Sequence, residues 1–161
     1  MLNNMDKPKA RIVVVGVGNL LLKDEGIGVH IARALQQMDI PHDIKIVDGG
    51  TSPDLPYYFK NIDKLIIIDA VKAKSKPGTA YHFHPCDVNI ESNETVSVHD
   101  FGLEQSLKIM RLMRNEPKEI IIIGIEPKEI DWGTELSVEL QQKLPEIVNI
   151  VLKEINLQPG G

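Results

Sequence analysis

Four acids stand out in the 161-residue chain, because each comes after a run of apolar residues that reads as a strand. Asp24 and Glu25 lie in the loop GNLLLKDEGIG (Gly18–Gly28) after RIVVVGV; Asp48 closes IKIVD; Asp69 closes KLIIID. His99 and Asp100 come from a polar stretch, DVNIESNETVSVHD (residues 87–100). In open α/β sheets ligands bind outside the carboxyl ends of the strands, so loops that follow strands are where such residues meet. Carboxylates with an imidazole suit a borderline divalent metal, and equally suit acid/base hydrolysis. Asp24 reads as a helix N-cap. Glu25 reads either as a first-turn acid favoured by the helix dipole or as a ligand. Asp69 either accepts loop amides or serves the site. Asp100 reads as a cap, and His99 alone has no local signature.

Other reactive side chains have plainer readings. His82 and His84, two apart on a strand, share a face and read as an exposed edge. Cys86 has no basic neighbour in sequence to activate it and reads as inert; a single cysteine also excludes an internal disulfide or a CxxC site. Lys72, Lys74 and Lys76 read as a solvated run. The glycine-rich loop is not a nucleotide cradle. After Gly16-Val-Gly18 come Asn19, Leu20 and Leu21 in place of a third glycine, the loop is acidic, and no GK[ST] follows anywhere.

The elements that must position these residues are legible from periodicity. Arg11–Gly16, Ile44–Val47, Lys64–Asp69 and Glu119–Ile125 read as strands. TAYHFHP (residues 79–85), entered through a hairpin turn at AKSKPGT, reads as an antiparallel strand near the sheet edge. Ile27, Ile31, Ala34, Leu35 and Met38 mark a helix over about residues 26–38. Leu103, Leu107 and Met110 mark another, and Leu140 to Ile155 a long amphipathic one, with a kink or break expected at Pro145. The alternation predicts one α/β domain over residues 1–161, three layers deep, with a twisted, mostly parallel sheet of about five strands. Residues 1–10 and 156–161 read as tails. The composition, 42% hydrophobic and 25% charged, is that of a globular domain, and the net charge of −5 argues against nucleic acid or an anionic membrane as partner. With no signal-like start and no run of about 20 apolar residues, a cytoplasmic location is expected.

With these residues in place, the chain resembles the [NiFe]-hydrogenase maturation endopeptidases from about Arg11 to Ile155. The resemblance rests on GVGNLLLKDEGIGV (Gly16–Val29), then in order DGGT (Asp48–Thr51), IIIDA (Ile66–Ala70), HDFGL (His99–Leu103), GIEP (Gly124–Pro127) and WGTELS (Trp132–Ser137). It departs at TSPDLPYYF (Thr51–Phe59), where several members carry a glycine and a different loop. The resemblance implies a phosphorylase/hydrolase-like fold and a protease that removes a C-terminal extension from the hydrogenase large-subunit precursor. Cleavage follows nickel insertion, the nickel being carried by that precursor and other divalent metals standing in for it. The family's metal-contacting residues map to Glu25, Asp69 and His99, and Glu25 and Asp69 are the implied catalytic acids. Two other readings are carried beside it: a non-catalytic nickel-checkpoint protein on the same scaffold, and a small-molecule hydrolase or phosphorylase. The acidic edge counts against the last.

Overall fold

The computed structural model describes residues 11–51, 62–85, 111–112, 114 and 116–155, with the backbone of Ser97 and Val98. Six strands are β1 (Ile12–Val17), β2 (Ile44–Gly50), β3 (Lys64–Lys72), β4 (Ala80–Phe83), β5 (Ser97–Val98) and β6 (Glu119–Ile125). The helices are α1 (Ile27–Gln36) and α2 (Val138–Glu154), and a 3-10 turn at Lys23–Gly26 leads into α1. Among the described residues no helix is long and apolar enough to cross a membrane.

Isoleucine and valine dominate the central strands because both faces of the sheet are covered. Side chains alternate across a strand, so one core cluster takes Ile12, Val14, Ile66, Ile68, Ile121 and Ile123 against α1 and α2. The opposite cluster takes Val13, Val15, Val17, Leu65, Ile67 and Ile122, with Phe83 packed on it. The strand order is β2-β1-β3-β6-β4, a single α/β domain with a mostly parallel five-stranded sheet. β1, β2, β3 and β6 are parallel, and β4 is an antiparallel edge strand. The edge position and direction of β4 match expectation, but its partner is β6, not the preceding β3, so AKSKPGT is not a hairpin turn. The order reverses between β1 and β3, which makes the crevice above their carboxyl ends the topological switch point.

Three expectations about elements need correction. Asp48 and Asp69 do not end their strands. β2 runs on to Gly50, and β3 runs to Lys72 because β6 pairs with it through Ala70 and β5 takes Val71 and Lys72. The polar stretch before His99 thus contains a two-residue strand. Pro145 does not break the last helix: α2 is continuous over 17 residues. Pro145 lies on its exposed side, where the carbonyl of Gln141 that loses its N–H partner is free to bind water. The helix expected around Leu103, Leu107 and Met110 and the residues Cys86, His99 and Asp100 lie outside the described residues, as do the two tails.

Candidate active site at the switch point

The loop after β1 is bent tightly enough to bring Glu25 back over the sheet. Gly18 takes a φ of +152°, and a Cβ there would lie 2.2 Å from the carbonyl oxygen of Glu25. Leu22 O accepts from Glu25 N, closing the 3-10 turn, which packs against β3. The Glu25 side chain is half-buried and makes no hydrogen bond or ion pair among the described residues. Asp69 lies on β3 with Leu65 and Ile67, facing away from α1; it is 4% exposed, and its Oδ1 accepts the N–H of Ala70 at 2.8 Å. The switch point therefore has one acid from each side, on the turn after β1 and on β3. β5 pairs Val98 with Val71, antiparallel, so the chain immediately before His99 runs beside β3 two residues past Asp69. Among the described residues no three His, Cys, Asp or Glu side chains converge to hold a metal; His99 is not among them.

Asp24 does not cap α1. The N-cap residue is Gly26, with no side-chain hydrogen bond, because the 3-10 turn places Asp24 before the helix entry. Its carboxylate is fully buried and turned to the loop after β6. Oδ2 accepts from Lys128 N at 2.9 Å and Glu129 N at 2.8 Å, and Oδ1 from Ser137 N at 2.7 Å. Ser137 in turn caps α2 through Leu140 N. The opening and closing sequence motifs are thus one structural unit. Asp48 is engaged structurally as well, on the Arg33 guanidinium at 3.0 Å and on Gly50 N at 3.1 Å.

Glu126 was not singled out by sequence, although it follows an apolar strand at the same sheet edge as Asp69. Its carboxylate is buried and accepts from Ala73 N at 2.7 Å and the Tyr81 hydroxyl at 2.9 Å. Its backbone bonds Thr79 O and Gly78 N, so it holds the AKSKPGT turn shut. Burial, together with the Glu126 carboxylate, raises the Tyr81 pKa. His82 on β4 and His84 just past its end are exposed, as expected.

His30, on α1, has its Nε2 buried without a hydrogen-bond partner. Burial holds its imidazole below the ordinary range; Arg33 adds to the effect and Asp24 opposes it. The unfolded chain therefore binds this proton more readily than the native protein does. Stability from this group is fully present above the unfolded pKa of about 6.5 and is lost as pH falls through it toward the folded value. Urea midpoints measured at pH 7.5 and 5.5 should fall toward the lower pH, and the difference should shrink in His30→Leu.

The sequence and fold are those of a known family. The family model for hydrogenase maturation proteases (HycI) matches residues 29–154. The Hydrogenase 2 maturation protease of Escherichia coli K12 is 40% identical over 124 residues, 75% of this chain and 76% of that one. The hydrogenase expression/formation protein HupD of Rhizobium leguminosarum is 29% identical over 91% of this chain and 74% of its own length. Among solved structures, the hydrogenase maturating endopeptidase HybD from E. coli superposes with a TM-score of 0.79 at 34% identity, covering 91% of this chain and 92% of that one. The [NiFe] hydrogenase maturation protease HybD from Thermococcus kodakarensis gives 0.75 at 32% identity, covering 89% and 97%. The chain that places Glu25 and Asp69 at its switch point belongs to the hydrogenase maturation protease family.

Proposed function

We propose that this protein is an endopeptidase that removes the C-terminal extension of a [NiFe]-hydrogenase large-subunit precursor after nickel has been inserted. The observation that carries the reading is the placement of Glu25 and Asp69 on the two sides of the β1/β3 switch point, with the chain leading into His99 beside β3. In this reading Glu25, Asp69 and His99 meet nickel that belongs to the substrate. Two carboxylates and one imidazole form an open, incomplete set, and thiolates of the precursor, being softer, keep the metal. A precursor without nickel lacks that anchor. Hydrolysis needs a base to take a proton from water as it attacks the scissile carbonyl, and a proton delivered to the leaving amine. Glu25, half-buried and uncommitted to any hydrogen bond, suits the first role.

The test is incubation with nickel-loaded and nickel-free precursor, followed by intact mass. Loss of the extension from the loaded form alone is expected. A stable complex with loaded precursor and no loss of mass would replace the protease reading with that of a nickel-checkpoint protein.

A further inference from the structure

Glu25 has no side-chain hydrogen bond or ion pair among the described residues, and its backbone is held through its neighbour. We infer that Asp24 is a positioning residue for Glu25: its buried carboxylate locks the turn Lys23–Gly26 to the loop between β6 and α2 and so fixes where Glu25 points. The inference rests on the proposed role of Glu25 in cleavage.

The lock is dense and reaches across more than 100 positions of sequence. Besides the three N–H groups on the Asp24 carboxylate, Asp24 N donates to Glu129 O at 3.1 Å, Lys23 N to Gly133 O at 2.9 Å and Gly133 N to Leu21 O at 2.9 Å. The Lys23 ammonium lies 2.8 Å from a Glu129 carboxylate oxygen. Lys23 itself is held at a left-handed φ of +47°, a conformation that persists in a non-glycine residue when its surroundings over-determine it. From the other side the chain passes so close that a Cβ on Gly18 would lie 2.2 Å from the Glu25 carbonyl oxygen, and one on Gly26 3.0 Å from Asn19 O and Leu20 Cα. The chemistry of the lock also suits a carboxylate beside a second carboxylate. Three N–H groups, from Lys128, Glu129 and Ser137, commit the Asp24 carboxylate to the loop after β6, which leaves Glu25 as the uncommitted acid of the pair. A neutral amide at position 24 sets an N–H₂ against one of those N–H groups.

A purely structural role would change stability alone, and the experiment separates the two. Amide hydrogen exchange of Asp24→Asn should show faster exchange at residues 23–26, 128, 129 and 137, with protection kept in β1, β3 and β6. Processing of nickel-loaded large-subunit precursor should then show kcat reduced by about 100-fold with KM within about threefold. Ser137→Ala is the control: it removes the cap of α2 but keeps the N–H that Asp24 accepts, so kcat should stay within about twofold. Gly133→Ala, at φ +155°, loosens the same lock without changing charge; it should lower kcat about tenfold, and it stands in if Asp24→Asn does not fold. Unchanged kcat in a variant whose turn exchanges faster would overturn the inference, as would an equal loss in Ser137→Ala. If the wild-type protein does not cleave loaded precursor at all, the reading of the function fails, and the exchange data still report whether the lock exists.

Discussion

Glu25→Gln and Asp69→Asn should each slow processing of nickel-loaded precursor by about 10²–10⁴-fold, the usual worth of a positioned acid or base, while leaving the fold intact. The structure separates the two effects. Glu25 makes no side-chain hydrogen bond, so its amide should change stability by no more than about 0.5 kcal/mol. At position 69 a carboxylate oxygen accepts Ala70 N at 2.8 Å, and asparagine keeps an oxygen able to accept it. Intact mass of the precursor against time, beside a thermal melt of each variant, measures both. A variant that melts like the wild type and processes at its full rate would remove that residue from the site.

Gly28→Ala should instead abolish stable folding, with a cost above about 4 kcal/mol, in the exceptional range for one substitution. A Cβ on Gly28 would lie 2.2 Å from Ile68 O, 2.3 Å from Val17 O and 2.8 Å from Val17 N. All three are backbone atoms of β3 or β1, so no side chain is available to swing aside. The partner glycine is equally constrained, since a Cβ on Gly16 would lie 2.0 Å from Gly28 O. The first turn of α1 thus sits directly on the two strands that flank the switch point, and that contact sets the height of Glu25 above them. A domain whose total stability is about 5–15 kcal/mol has little left after such a loss. Urea denaturation of any soluble Gly28→Ala protein checks this. Gly50→Ala is the contrast: nothing lies within 4 Å of its Cβ position and φ is +55°, so only the left-handed preference is lost, about 1–2 kcal/mol.

Much of this was legible in the chain because periodicity records burial. The β-branched runs of β1, β3 and β6 and the apolar stripes of α1 and α2 fall where expected, since residues covered on both faces of a sheet, or on one stripe of a helix, leave that record in order. The same local logic misplaced Asp24. As an acid just before a helix it has the form of a cap, yet its partners are the amides of Lys128, Glu129 and Ser137, which no window of sequence around Asp24 contains. Glu126 escaped notice for a related reason: its partners, Ala73 and Tyr81, become neighbours only when β4 crosses to pair with β6.

By itself, then, the sequence determined the five strands of the main sheet, the two described helices, the class of the fold and the acids that follow the apolar runs. It also carried the ordered motifs of the protease family, GVGNLLLKDEGIG foremost. Only the tertiary structure decided which of the acids are structural. Asp24, Asp48 and Glu126 are committed to amides, a guanidinium or a hydroxyl, whereas Glu25 makes no side-chain hydrogen bond among the described residues. The physical reason is that burial follows a local period, but hydrogen-bond partners are assigned by strand order, and strand order is a property of the whole chain.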